Sequence, residues 1–171
     1  MALTGFTRVC GMQSGGAKKL YLAEVPNVTS FTKTLEAYSA VTMESGKLFK
    51  AYDFDPDSME IVEEVAVENN SMKVVHRIVW DMMKLSATAR TAVEEIALAS
   101  ACGVIAIAED NNGALWVIGY SENHGKTRPL ELKSAKGTTG KKLTDTNKWE
   151  LTLESEDNTN MRVFSGTVPL T

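Results

Sequence analysis

The stretch MEIVEEVAVENNSMKVVHRIVWDM, Met59 to Met82, limits the fold more than any other part of the chain. Asn69 and Asn70 read as a two-residue turn, because asparagine enters the left-handed region at little cost. That turn fixes a register. Val67 faces Met72, Val65 faces Val74, Glu63 faces His76, Ile61 faces Ile78 and Met59 faces Trp80, so one side is nearly all apolar. The other side sets Glu60, Val62, Glu64, Ala66 and Glu68 against Ser71, Lys73, Val75, Arg77 and Val79. A slip of one residue would exchange the two sides and send charge into the core, so the pattern itself holds the register. The expected element is a long antiparallel hairpin with one face to pack and one to solvate.

Strand patterns continue on both sides of it. KLYLAEV, Lys19 to Val25, stops at Pro26, and VTSFTKT follows Asn27; AYSAVTME and KLFKAYDF flank the turn residues Ser45 and Gly46. Further on, VIAIAED and ALWVIGY are joined by NNG, and Asn112-Gly113 is a strong hairpin signal. Both faces of that pair are largely apolar, which places it at the doubly covered centre of the sheet system. KWELTLES alternates Trp149, Leu151 and Leu153 with Glu150, Thr152 and Glu154, then turns through EDNTN into MRVFSGTV as a last hairpin. One helix is predicted from about Ser86 to Ala101, with Ala89, Ala92, Val93, Ile96 and Ala97 as its stripe and Ser100 continuing it. Its start is open between Ser86, Thr88 and a Thr91–Glu94 capping box, and Gly103 stops it. The expected fold is a single domain over residues 1–171, mainly β with one α-helix: an antiparallel sandwich or barrel with a long hairpin.

At 171 residues such a domain buries roughly 70% of its unfolded surface, enough for a real core. A net charge of −4 argues against a protein that grips nucleic acid by its phosphates, though not against a surface that nucleic acid slides past. The two cysteines, Cys10 and Cys102, make neither a disulfide framework nor a metal spacing, and a reducing compartment fits them. Cys102 closes the run IALASAC and is expected to be a small buried hydrophobe. The first residues lack an apolar signal core, and the longest apolar run, Ile96 to Ala108, is too short to span a bilayer, so no membrane partner is expected.

The motifs with chemical promise dissolve on inspection. GYSENHGKT, Gly119 to Thr127, resembles a phosphate loop, but five residues stand between Gly119 and Gly125 where four are needed. RPLELKS follows it, extended rather than helical, and GMQSGGAK at Gly11 to Lys18 has its lysine one place late. EDNNG and EDNTN lack the further acidic ligands of a calcium loop, and two histidines as separate as His76 and His124 give no metal spacing. Glu63 facing His76 reads as an ion pair before it reads as an acid–base pair. No catalytic residue, metal ligand or cofactor site is therefore predicted, and the chain is not expected to be an enzyme.

The order of segments carries a resemblance. A Gly-rich start with GGAKKLYLAEVPNVTSFT leads to the long hairpin, one helix, IAEDNNGALWVIGY, and then KGTTGKKLTDTNKWELTLESED. It resembles small structural proteins of tailed bacteriophages, particularly tail-tube and head–tail (neck) ring proteins. The resemblance implies a tail-tube-like fold and a virion location. It also implies a self-assembled ring, sixfold or in connector rings twelvefold, that meets other tail or neck proteins and lets DNA through without reading its sequence. Candidate channel-facing or inter-subunit charges are Glu60, Glu64, Glu68, Lys73 and Arg77. Lys136, Lys141 and Lys142 form a candidate inter-subunit loop in LKSAKGTTGKK, which is either a solvated loop or one docking on an acidic neighbour. The alternatives are a ligand- or carbohydrate-binding β-domain using Trp80, Trp116 and Trp149, or a head decoration protein.

Overall fold

A computed structural model describes residues 2–170. Its elements in chain order are β1 (Ala17–Glu24), β2 (Val28–Thr34), β3 (Ala37–Met43), β4 (Lys50–Tyr52), β5 (Glu60–Glu68), β6 (Ser71–Met83), α1 (Ala87–Ala99), β7 (Val104–Asp110), β8 (Leu115–Ile118), β9 (Glu131–Thr138), β10 (Lys148–Asp157) and β11 (Arg162–Phe164). The strands make a seven-stranded sheet, β2-β3-β11-β8-β7-β1-β4, and a four-stranded one, β5-β6-β10-β9. Both are open; the fold is mainly β with one helix and contains no closed barrel.

The hairpin forms in the register that its alternation dictates, from Glu60↔Val79 to Glu68↔Ser71. Asn69 and Asn70 both take positive φ, 50° and 60°, the geometry that two-residue turn requires. Val74, Ile78 and Trp80 on the inward side of β6 are completely buried, and β10 adds Leu151 and Leu153 in the adjoining rows. Ile78, Trp80, Leu151 and Leu153 meet Leu20, Leu22, Ala106 and Ile118 of the large sheet, with Val93 and Ile96 of α1, in one core between the layers. A second core lies on the far face of the large sheet, where Val28, Phe31 and Tyr38 share a cluster with Phe49, Ile105, Ile107 and Val117. Residues beside both edge strands contribute to it, so the sheet curls around that core. β7, with every residue from Val104 to Ala108 buried, is the doubly covered strand expected of it.

Several expectations are corrected. β4 is only three residues long and pairs with β1, while Ser45 and Gly46 form the turn expected of them. After β10 the chain crosses between sheets: β11 pairs antiparallel with β8 and parallel with β3 instead of returning along β10. Ser86 is the helix cap, its hydroxyl accepting the Ala89 N–H at 3.1 Å, while Ala97 faces solvent and Ala99 turns inward in its place. Cys102 is exposed rather than buried, because the chain leaves α1 through a surface turn. The lysine-rich stretch is half strand: Lys133 and Lys136 lie on β9, and only Lys141 and Lys142 stand in a loop.

Gly119 ends β8 where the chain slips past the paired backbones of Val104 and Leu130. Its φ is +88°, and a Cβ there would sit 2.8 Å from the Val104 carbonyl oxygen. Gly119→Ala is expected to lose roughly 1–3 kcal/mol through backbone strain alone, read as a lower urea midpoint at unchanged slope.

Candidate functional site

The small sheet turns one face to the core and one to solvent, and the solvent face is charged along every strand. Its cations sit between carboxylates of the same subunit. Lys73 Nζ lies 3.1 Å from Glu156 and 3.8 Å from Glu68, while Arg77 lies 3.0 Å from Glu154 and 3.9 Å from Glu64. Lys148 bridges Asp81 at 2.7 Å and Glu150 at 3.0 Å. The hydrogen bond to Glu156 raises the pKa of Lys73, and the one to Asp81 raises that of Lys148. Exposed pairs of this kind contribute little stability. Their effect is to use up the positive charge in the middle of the face. The sequence left open whether Lys73 and Arg77 pair within the subunit or with the next; they pair within it.

What remains unpaired lies at the edges. On β5, Glu60 has no ion-pair partner among the described residues, and Glu64 and Glu68 touch only the far ends of cations already engaged. On the β9 side, Lys136, Lys141 and Lys142 are exposed and have no ion-pair partner among the described residues. Asp145 builds the loop that carries two of them, accepting the N–H groups of Lys141 and Lys142 at 2.8 and 2.9 Å. These bonds lower the pKa of Asp145 and leave both ammonium groups free to point outward. The two edges of one sheet are thus oppositely charged.

They also differ in backbone. β5 runs from Glu60 to Glu68 without a register break and has a strand neighbour on one side only. β9 breaks register opposite Thr152–Leu153, and the Leu132 N–H donates to Ser100 Oγ at 2.6 Å, so the helix terminus covers its start. A break and a cover are the usual means of blunting an edge; β5 has neither and relies on charge. The hairpin also overshoots its sheet. β10 stops at Asp157 opposite Val74, leaving the tip without a neighbour and Val65 and Val67 53% and 73% exposed.

Glu63 and His76 come together as the register requires, but not as an ion pair. His76 is buried, and burial pushes its pKa below the ordinary 6.5 against the opposing pull of Glu63 and Asp157. Its Nε2 lies 3.3 Å from Glu63 Oε2, yet that oxygen already accepts the Met161 N–H at 2.6 Å, and Nε2 has no well-directed hydrogen bond. Asp157 accepts the Ser121 hydroxyl at 2.8 Å and the Thr159 hydroxyl at 3.0 Å, and Ser155, paired with His76 across the strands, is buried as well. This polar knot lies where the crossover from β10 to β11 meets the hairpin. The alternation of β10 already puts Ser155 on the core side; nothing in the sequence joins Ser121 to Asp157.

A depressed histidine pKa gives stability a definite pH dependence. The unfolded chain takes up the proton first, so stability is fully present above about pH 6.5 and is lost as pH falls from there toward the folded value. Urea titrations between neutral and mildly acidic pH are expected to show that decline, and His76→Gln to flatten it.

The remaining sequence motifs serve structure. In the Gly119–Thr127 stretch, Ser121 Oγ accepts the Asn123 and His124 N–H groups, and the Gly125 N–H goes to the Ser121 carbonyl at 2.9 Å, so the donors a phosphate would need are spent. Trp80 is fully buried and Trp149 packs under Gly137, so neither offers a stacking platform. The Trp116 indole N–H is held by Asp110 at 3.0 Å. No helix is long and apolar enough to cross a membrane, and no cluster of metal-ligating side chains occurs among the described residues. No family model, curated protein or solved structure matches the chain.

Proposed function

We propose that the chain is a virion structural subunit of a tailed bacteriophage, joining copies of itself edge to edge into a ring or tube through which DNA passes. The observation that supports this most is the pairing of opposite charges on the two edges of the small sheet. Glu60, Glu64 and Glu68 line one edge, and Lys136, Lys141 and Lys142 stand at the other. Docking the acidic edge of one copy on the basic edge of the next is a heterologous contact, and such contacts close into rings or run on as tubes.

The fold suits the geometry of a ring. All the bulk of the subunit packs against one face of the small sheet, so sheets joined around an axis leave the bulk outside and turn the other face inward. That inward face carries Glu60, Glu64, Glu150 and Glu154 with its cations already neutralised, and it repels phosphate. DNA passes such a wall without sticking. The order of segments that resembles phage tail and neck proteins supplies the virion setting.

Sedimentation velocity and negative-stain microscopy of the purified protein test this. Rings or tubules that grow with concentration, or on addition of a tail or neck component, are expected. A species that stays monomeric at every concentration and with every such component overturns the reading.

A further inference from the structure

Residues 2–16 form an arm outside both cores. Residues 2–14 belong to no helix or strand and are exposed throughout. Within the arm, large apolar side chains recur at every third position: Leu3, Phe6, Val9 and Met12, at 103%, 92%, 74% and 105% relative exposure. The spacing of three keeps the four side chains close together along the arm, and Gly5, at φ +80°, bends it between Leu3 and Phe6. Arg8 is the one charged side chain between Ala2 and Ala17.

The arm's direction is fixed where it leaves the body. The Ser14 N–H donates to Asn112 Oδ1 at 3.0 Å, Asn112 Nδ2 donates to the Ser14 carbonyl at 2.9 Å, and Asn111 Nδ2 donates to the Gly15 carbonyl at 2.6 Å. The Asn111 N–H adds a bond to the Gly16 carbonyl at 3.2 Å. The β7–β8 turn thus clamps the arm beside the first residue of β1, where Gly16, at φ +80°, turns the chain.

At the other end of β1 lies an open groove of about 490 Å³. Leu22, Leu48, Tyr52, Leu98 and Ala99 give it apolar walls, and Leu98 is a helix residue with 77% of its surface exposed. Glu24 and Glu95 supply its carboxylates, both close enough to Tyr52 that, after burial, they help raise its pKa. Lys50 offsets one of the two charges, leaving the groove acidic overall.

We infer that the arm of one copy docks in the α1–β1 groove of a second copy, with its apolar row against the groove walls and Arg8 toward Glu24 and Glu95. The clamp roots the arm at one end of β1 and the groove lies at the other, so the contact is head to tail along β1. It differs from the edge-to-edge contact proposed above and holds whether or not those edges join. In a ring it links one layer to the next.

The chain's two cysteines report on this directly. Cys10 lies in the arm and Cys102 lines the groove, and both are exposed. Treating the native full-length protein with a short bismaleimide is expected to give a ladder of covalent multimers. Cys10→Ser and Cys102→Ser each abolish the ladder, while mixing the two variants yields a covalent dimer and nothing longer. Phe6→Ser is expected to cut the yield roughly tenfold, the scale of one lost large apolar contact, with circular dichroism unchanged. Three results overturn the inference: no cross-link, an intrachain link alone, or a covalent dimer that survives Cys102→Ser, which means that arms meet arms. Each is readable even if charge changes on the sheet edges leave assembly untouched.

Discussion

Trp80→Ala is expected to lower the free energy of unfolding by about 3–5 kcal/mol, the cost of emptying a fully packed aromatic site. Trp80 is completely buried on the inward row of β6, opposite Leu151 of β10, in the core that joins the two sheets and the helix. The neighbouring strands cannot collapse into the gap without breaking the β6–β10 ladder. A companion substitution separates volume from polarity. The indole Nε1–H is buried without a hydrogen-bond partner, so Trp80→Phe gives up some packing but also removes an unsatisfied donor worth about 1–3 kcal/mol. It is expected to lose far less than the alanine variant. Urea denaturation of both proteins tests the pair of expectations, and a phenylalanine variant as unstable as the alanine one refutes the second.

The other large effect concerns assembly. Glu60→Lys with Glu64→Lys places like charges opposite Lys136, Lys141 and Lys142 of the neighbouring copy. Juxtaposed like charges cost several kcal/mol at an interface, so association is expected to weaken by roughly a hundredfold or more. Both glutamates are on the solvent face and Arg77 keeps Glu154 at 3.0 Å, so the fold itself should barely change. Because the contact joins two different edges, the variant retains a sound β9 side and is expected to cap growing assemblies when added in small amounts. Lys141→Glu with Lys142→Glu is expected to restore association with the reversed edge. Raised salt is expected to weaken the proposed contact in the same way, since exposed charges are screened within about 10 Å at 0.1 M. Sedimentation that is indifferent to both reversals removes the edge-to-edge contact.

How much of this could be read from residues alone followed the strength of each local pattern. The hairpin was legible down to single pairs, because a nine-residue alternation and a turn that accepts positive φ agree on one register. The inward row of β10 was legible for the same reason, whereas the start of the helix stayed open among Ser86, Thr88 and Thr91 until the fold selected Ser86. β4 and β11 were not: three residues carry no periodicity, and their partners are chosen by the curl of a sheet formed from distant segments. The lysine-rich stretch read as loop because both faces of its strand are polar apart from Leu132 and Ala135; its pairing comes from β10. Of the candidate charges, Glu60, Glu64, Glu68, Lys73 and Arg77 do share one face, as the alternation required. That Lys136 belongs to a strand at the opposite edge, apart from Lys141 and Lys142 in their loop, needed the topology.

The place of β11 has a consequence for how the molecule is made. β2 and β3 are attached to the rest of their sheet through this strand alone, Ala37 pairing with Val163 and Tyr38 with Phe164. Two segments far apart in the sequence must therefore meet before the sheet is complete. Contacts so distant along the chain are slow to form, so β2 and β3 are expected to join their sheet late in folding, after the local hairpins.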